Sequence, residues 1–346
     1  MKKYIGIASI LLGIIVFTTI LDPQFFSPYN IMNLFRWTGL FGILSIGVGF
    51  VIMTGGIDLS VGSIVGFLGA LSVNLLVTRS WSIPAVIVFT IVFSMAIGLV
   101  QGLLVTKVKI QSFVVTLTGL FIYRGLSRFF TNDVTQGLGN DFAGLKFLVK
   151  GTFPADFFPN DSAPQFLKDW SLPMPFMIML VIAIGLSVFL NRSIYGRYIL
   201  ALGRNEKAAR FSGIDTDRMI VITYIISATC AGIGGFLFAL DLNSVQPSTA
   251  GNMYELYAIA GCVVGGISLR GGVGNIAGVI IGVAIVRVLY NAINIVGIPN
   301  TLEYVVIGLV ILIGVGADEV RKNYGIKKRM MRIRAEIKTP AAGRIA

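Results

Sequence analysis

Ten long apolar runs constrain this chain more than any other feature. A helix that crosses the hydrocarbon core of a bilayer, about 30 Å thick, needs about 20 apolar residues. The runs lie at about 4–21, 38–54, 63–78, 84–105, 112–130, 173–190, 219–240, 255–269, 276–297 and 303–317. Only 13% of the 346 residues are charged, against about 25% in soluble domains. The sequence therefore predicts an all-α polytopic membrane protein with about ten transmembrane helices.

The positive charges predict how these helices are oriented. If the N-terminus is cytoplasmic, the segments on its side hold 20 of the 28 lysines and arginines, and the opposite segments hold 5. Cytoplasmic loops carry such an excess of Lys and Arg. We therefore expect both termini in the cytoplasm. On this topology residues 1–317 form one transmembrane domain with an extracytoplasmic loop at about 131–172 and a cytoplasmic loop at about 191–218. The basic tail, 318–346, is expected to bind membrane lipid and not nucleic acid.

A sequence repeat interrupts two of the apolar hairpins. Residues 55–66 and 265–278 share the pattern G-G-I-x-L and then V-G-x-I-x-G, and the interruptions lie near 55–62 and 265–274. The glycines of these interruptions are Gly55, Gly56, Gly62, Gly265, Gly266, Gly271, Gly272 and Gly274. Paired Gly-interrupted segments mark substrate pathways in transporters, where unwound backbone lines a cavity. The alternative is two tight turns at the cytoplasmic face, which need glycine only for turning.

Polar residues inside the spans are candidates for a substrate pathway, because each of them is costly in lipid. The candidates are Asp58, Ser60, Gln101, Arg287, Asn291 and Asn294. The last three follow the spacing i, i+4 and i+7, so they form one polar stripe on the ninth span. Alternatively, Asp58 and Arg287 form an ion pair whose role is structural.

The sequence contains no residue set for catalysis or for metal binding. It has no His, and its two cysteines both lie in apolar runs, so no metal site is expected. It also lacks the motifs G-x-x-x-x-G-K-[ST], G-x-S-x-G and H-E-x-x-H, which mark nucleotide, acyl-transfer and zinc chemistry. No cofactor is therefore expected in this chain. A pump built on it would take its energy from another chain.

The loop at 191–218 is the candidate contact with such a partner. The stretch from Glu206 to Phe211 suits a short helix, and Gly213 follows it as a stop signal. A helix of this kind, lying across the membrane face, fits a groove in a cytoplasmic protein. The alternative is an interfacial helix whose cations hold it to lipid head groups.

Three motifs carry a resemblance to a known family. They are G-G-I-D-L-S-V-G-S at 55–63, E-x-A-A-R-x-x-G-I at 206–214, and Y-E-L-Y-A-I-A at 254–260, which leads into the second G-G. With these motifs, residues 1–317 resemble the permease subunits of bacterial ribose/xylose/galactose-type ABC sugar importers. Many members of that family carry Asp where this chain has Tyr257.

The resemblance implies an inner-membrane permease with several partners. One is a second permease chain, identical or related. Another is a cytoplasmic sugar-type ABC ATPase with two fused nucleotide-binding modules, which binds ATP-Mg. A third is a periplasmic or lipid-anchored sugar-binding protein. The resemblance also implies that the ATPase docks on a coupling loop formed by Arg204, Asn205, Glu206, Ala208, Ala209 and Gly213.

We therefore expect a transport subunit and not an enzyme. It would move a monosaccharide inward by alternating access while the ATPase partner hydrolyses ATP. A different class of protein, a stand-alone ion-coupled secondary transporter of a small polar solute, is the alternative; Asp58 would then bind the ion. A membrane enzyme acting on lipid is disfavoured, because no nucleophile–base pair or metal set is present.

Overall fold

The structure of this chain is a computed structural model. It describes residues 2–158, 163–297 and 299–302, and the single residues 304, 305, 308, 309, 312 and 316. The chain divides into two compact units, residues 1–300 and residues 301–346. Most of the tenth predicted span and the whole predicted tail at 318–346 lie outside the described residues.

Helices form nearly all of the first unit. As far as the structure describes residues 1–300, the helices are α1 (Lys2–Leu21), α2 (Pro28–Met53), α3 (Val61–Val77), α4 (Ile83–Thr106), α5 (Ser112–Thr131), α6 (Ala143–Lys150), α7 (Gln165–Asp169), α8 (Met174–Arg192), α9 (Ile194–Arg204), α10 (Glu206–Phe211), α11 (Thr216–Leu242), α12 (Tyr254–Val264) and α13 (Ile276–Ile295). Four two-residue strands form two small antiparallel sheets. They are β1 (Gln136–Gly137) paired with β4 (Ser244–Val245), and β2 (Thr152–Phe153) paired with β3 (Leu172–Pro173).

The prediction of an all-α polytopic membrane protein is confirmed. Within the described residues, six helices are long and apolar enough to cross a membrane, namely α2, α4, α5, α8, α11 and α13. Shorter apolar helices are α3, α12 and the part of α1 at Leu11–Leu21. Nine of the ten predicted runs therefore coincide with helices α1–α5, α8 and α11–α13.

Two helix boundaries differ most from the predicted runs, each for a local reason. α2 begins at Pro28, well before position 38, because Ser27 caps it by accepting a hydrogen bond from the Asn30 amide at 3.4 Å. Proline at the first helical position also favours this start. α12 ends at Val264 and not near 269, because the pair Gly265 and Gly266 breaks the helix there.

Two helices form the centre of the first unit. α11 packs against α4, α2 and α3, and α2 packs in addition against α13, α8 and α12. The outer helices α4, α5 and α8 expose large apolar side chains, such as Val88, Phe121 and Val181. Exposed apolar faces of this kind suit contact with lipid, which is as apolar as the side chains themselves.

The segment between α5 and α8 is folded onto the ends of the central helices. Its strand β1 pairs with β4, and α6 packs against α11 and α8. Asp241, near the end of α11, accepts ion pairs from Arg36 of α2 at 3.4 Å and Lys150 of α6 at 3.7 Å. The Asp241 side chain is only 4% exposed, so this carboxylate ties three helices together at one end of the unit.

Candidate functional site

The two sequence repeats end their helices in the same way. The Gly55 amide donates to the Ile52 carbonyl at 2.9 Å, and the Gly266 amide donates to the Val263 carbonyl, also at 2.9 Å. Both glycines have φ of +86°, a left-handed conformation that ends helices and favours glycine. The left-handed residue is the first glycine of the first repeat and the second glycine of the second repeat. The left-handed turn by itself therefore explains why glycine occupies positions 55 and 266.

The two breaks touch each other and the end of α9. The Gly272 amide donates to the Met53 carbonyl at 2.8 Å, and Arg204 Nε donates to the Gly272 carbonyl at 3.3 Å. A Cβ atom added to Gly203 would lie 1.9 Å from the Met53 carbonyl oxygen, and one added to Gly271 would lie 2.8 Å from the Gly55 amide nitrogen. These backbones approach so closely that side chains do not fit between them. We call this contact of residues 53–55, 203–204 and 271–272 the glycine junction.

The short helix predicted at 206–211 is confirmed as α10, and it follows the glycine junction directly. Asn205 caps it by accepting a hydrogen bond from the Ala208 amide at 3.0 Å, and Gly213 follows it with φ of +82°. Ala209 is buried, whereas the side chain of Phe211 is 92% exposed. A large apolar side chain at this exposure is available to a partner surface.

A hydrogen-bond network centred on Asp58 holds the first break to two neighbouring helices. Asp58 Oδ1 accepts from the Ser60 amide at 3.0 Å and from Ser60 Oγ at 2.6 Å. Asp58 Oδ2 accepts from Ser227 Oγ of α11 at 2.7 Å, and Gln101 Nε2 of α4 donates to Ser60 Oγ at 2.8 Å. All four side chains are buried. The sequence reasoning missed Ser227, which is one of several hydroxyl residues in the apolar run of α11 and has no feature that distinguishes it from the others.

Arg287 lies in an aromatic environment on α13. Its guanidinium carbon is 3.6 Å from the ring centre of Phe41, 4.8 Å from that of Tyr257 and 5.5 Å from that of Tyr290. Cations gain electrostatic energy over the faces of such rings. Tyr257, the position where many members of the resembled family carry Asp, thus contributes a ring face in this chain.

The predicted polar stripe lines one cavity. Arg287, Asn291 and Asn294 surround a space of about 230 Å³ together with Asn33, Leu34, Trp37 and Tyr290. Asn291 also exchanges two amide hydrogen bonds with Asn30 of α2, at 2.8 and 3.0 Å. We call this space the Arg287 cavity. It contains amides, a cation and aromatic rings in a span that is otherwise apolar.

The six predicted pathway residues fall into two separate groups. Asp58 bonds to Ser60 and Ser227, and Arg287 packs over aromatic rings. No ion pair joins Asp58 to Arg287 in the part of the chain that the structure describes, so the alternative of a structural pair between them is wrong. Within the described residues, no cluster of three or more His, Cys, Asp or Glu residues suits a metal ion.

Comparisons with known proteins assign the family. Residues 30–315 match the model of the family described as "Branched-chain amino acid transport system / permease component". The ribose import permease protein RbsC of Bacillus subtilis is 38% identical over 307 residues, which are 88% of this chain and 89% of that protein. The RbsC of Haemophilus influenzae is 35% identical over 92% of this chain and 93% of its own length. The xylose transport system permease protein XylH of Escherichia coli is 31% identical over 93% of both chains. No solved structure matches the chain significantly.

The matched region contains both helix breaks, α10, the Asp58 network and the Arg287 cavity. The family model and the relatives cover nearly the whole described fold, and the spans are those of a multi-pass membrane protein. The chain is therefore a member of the branched-chain amino acid transport system / permease component family, a permease subunit of the inner membrane.

Proposed function

We propose that this chain is the permease subunit of an ATP-driven ABC importer for a monosaccharide. The relatives that it resembles over about nine tenths of its length are ribose and xylose permeases by name. The observation that carries the proposal is the glycine junction, because it joins α10, a helix with exposed charged and apolar side chains, directly to both helix breaks. A partner that moves α10 would thereby move the interrupted helices.

The energy source in this proposal is a separate ATPase. α10 presents the exposed residues Glu206, Lys207 and Phe211, which offer a charged and apolar surface for docking. The partner is a cytoplasmic ABC ATPase with two fused nucleotide-binding modules, and ATP and Mg²⁺ bind to it and not to this chain. A second permease chain and a periplasmic or lipid-anchored sugar-binding protein complete the transporter. Both termini of this chain face the cytoplasm.

Coupling follows from the contacts at the glycine junction. Gly203 and Arg204, at the end of α9, touch the last residue of α2 and the loop before α13. The Gly203 contacts are between backbone atoms, and the Arg204 side chain adds a hydrogen bond to the Gly272 carbonyl. Because the junction is closely packed, a displacement of α9 and α10 is transmitted to the breaks. The helices α2–α3 and α12–α13 then change their angles at the breaks, which alternately opens the pathway to each side.

The pathway includes the Arg287 cavity. Amide groups of Asn291 and Asn294 and the guanidinium of Arg287 offer hydrogen bonds to sugar hydroxyls, and Trp37 and Tyr290 offer ring faces to sugar C–H groups. Such a mixture of aromatic walls and a few polar groups is typical of small-molecule sites. Asp58, Ser60 and Gln101 contribute to the pathway by fixing the first break, since their hydrogen bonds join α3, α4 and α11.

The ion-coupled alternative has less support. A cation-binding Asp58 would need carboxylate oxygens that are open to an entering ion. Both oxygens instead accept hydrogen bonds from Ser60 and Ser227, and the side chain is 0% exposed.

Sugar uptake with and without the ATPase tests the proposed function. Cells that express this chain with its ATPase and sugar-binding partners are expected to accumulate labelled ribose or xylose. Cells with an ATPase that cannot hydrolyse ATP are expected to lose that uptake while the permease remains in the membrane. Proteoliposomes with this chain alone are the control. Uptake by the chain alone on an ion gradient contradicts the ATP-driven mechanism, and uptake of neither sugar by the full system contradicts the pentose-type substrate.

A further inference from the structure

We propose that a second cavity, between α3, α11 and residues 244–254, is a sugar-binding site distinct from the Arg287 cavity. This inference rests on the proposed function and adds a site to it. The space measures about 360 Å³, which lies within the range of about 300–1,000 Å³ that small-molecule sites occupy. We call it the Gln246 cavity.

The lining of the Gln246 cavity suits a neutral polyhydroxylated molecule. Its polar side chains are Ser244, Gln246, Thr249, Asn252 and Tyr254, and none of the described residues that line it carries a charge. Hydroxyl and amide groups both donate and accept hydrogen bonds, as sugar hydroxyls do. The ring of Phe238 and the apolar wall of α3 and α11 supply the surface for sugar C–H groups.

The wall that carries these polar groups is held in place at both ends. At one end, β4 pairs with β1, and Thr135 Oγ1 donates to Gln246 Oε1. At the other end, Arg124 Nη1 donates to the Ala250 carbonyl. Gly251 there has φ of +70°, and a Cβ added to it would lie 2.0 Å from the Gly62 carbonyl oxygen. A wall fixed in this way forms the site before a ligand arrives, which lowers the entropy cost of binding.

An aromatic partition separates the Gln246 cavity from the Arg287 cavity. Tyr254 lines the Gln246 cavity, and its ring centre is 4.8 Å from that of Phe41. On the other side, the ring centre of Phe41 is 3.6 Å from the guanidinium carbon of Arg287. The ring of Phe238 packs on the rings of Tyr254 and Phe41, with centre-to-centre distances of 4.8 and 5.2 Å. The two cavities thus form successive sugar sites on either side of three packed rings, which must part for a sugar to pass.

The Gln246 cavity is also bordered by elements that lead to each of the two helix breaks. Residue 62, which touches its wall, belongs to the first turn of α3 after the first break, and Tyr254 begins α12, which ends at the second break. A change of angle at either break therefore alters the shape of the cavity. Because of this position, we assign the Gln246 cavity a role in the transport cycle and do not regard it as a static surface pocket.

Uptake kinetics test the assignment with matched variants on one segment. Gln246→Ala and Asn252→Ala each remove one neutral hydrogen-bonding group from the lining. We expect the concentration of ribose or xylose that gives half-maximal uptake to rise about threefold to tenfold in each. Ser248→Ala is the control, because Ser248 does not line the cavity but accepts a hydrogen bond from Gln246 at 3.3 Å. The Ser248→Ala variant loses the hydrogen bond between Gln246 and Ser248 but keeps every side chain that lines the cavity. Its uptake is therefore expected to match wild type.

Protection of an introduced cysteine tests the same site without the partner proteins. The native Cys230 and Cys262 are both buried, so a thiol reagent is expected to leave the wild-type chain unlabelled. Asn252→Cys is expected to react, and ribose or xylose is expected to slow that reaction severalfold, whereas Ser248→Cys reacts equally with and without sugar. Suppose that wild type takes up a sugar, that this sugar does not protect Asn252→Cys, and that the alanine variants take it up with wild-type kinetics. The assignment of the Gln246 cavity is then overturned, while the proposed function stands. If wild type takes up neither sugar, it is the pentose-type substrate of the proposed function that fails.

Discussion

Substitution of Gly203 by alanine perturbs the glycine junction with a single methyl group. The added Cβ would lie 1.9 Å from the Met53 carbonyl oxygen and 2.3 Å from the Gly272 amide nitrogen. Both atoms belong to backbone and cannot rotate away. They are also the two partners of the 2.8 Å hydrogen bond that joins the breaks. The variant therefore has to push the end of α9 away from both breaks.

The structure sets the size of the effect. Loss of a backbone hydrogen bond that leaves its groups unsatisfied costs about 1–3 kcal/mol, and forcing an extra methyl group into packed structure costs about 1–3 kcal/mol. We expect Gly203→Ala to lower the free energy of unfolding by about 2–6 kcal/mol. The backbone gain from replacing glycine within a helix offsets at most about 1 kcal/mol of this. We also expect ATPase-driven uptake to fall more than the amount of ATPase that co-purifies, because α10 itself remains intact.

Thermal unfolding of the purified chain and sugar uptake per inserted permease measure the two effects. Gly185→Ala is the matched control, because Gly185 also lies within a helix, α8, and an added Cβ meets no atom within 4 Å. This control is expected to match or exceed wild-type stability. A Gly203→Ala variant with wild-type melting temperature and wild-type uptake would refute both the close contact and its role in coupling.

Three further predictions concern topology, docking and the buried network. A cysteine in place of Asp141 should react with an impermeant thiol reagent in intact spheroplasts, and one in place of Ser212 should not; the opposite pattern overturns the orientation. Glu206→Arg should leave the permease inserted in the membrane but reduce both the amount of ATPase that co-purifies and the uptake. The substitution reverses an exposed charge of α10 and removes the 3.2 Å ion pair between Glu206 and Arg210. Unchanged ATPase co-purification argues against docking on α10. Asp58→Ala should lower the free energy of unfolding by about 3 kcal/mol, because two buried hydroxyl donors lose their acceptor. Asp58→Asn should lower it less, and equal melting temperatures for both variants and wild type contradict the network.

The local features of this fold could be predicted from the sequence. Apolar runs of sufficient length define spans by composition, and nine of them coincide with described helices. The end of α2 and the end of α12 follow from glycine pairs, whose conformational freedom is a property of the residue itself. α10 follows from the helix-forming stretch 206–211 and the stop at Gly213. The polar stripe at 287–294 follows from helical spacing. Each of these inferences depends on residues within a few turns of one another.

The contacts that make a site from these features depend on the tertiary structure. The sequence marked Asp58 and Arg287 as two costly groups and left open whether they pair. Packing placed Asp58 against Ser227 and placed Arg287 over Phe41 and Tyr257. Likewise, the glycine pattern fixed two breaks, but only the packing of the helices brought the second break and the end of α9 onto the end of α2. The physical reason is that helix formation and capping depend on near neighbours, whereas contact between distant residues is determined by how whole helix faces fit together.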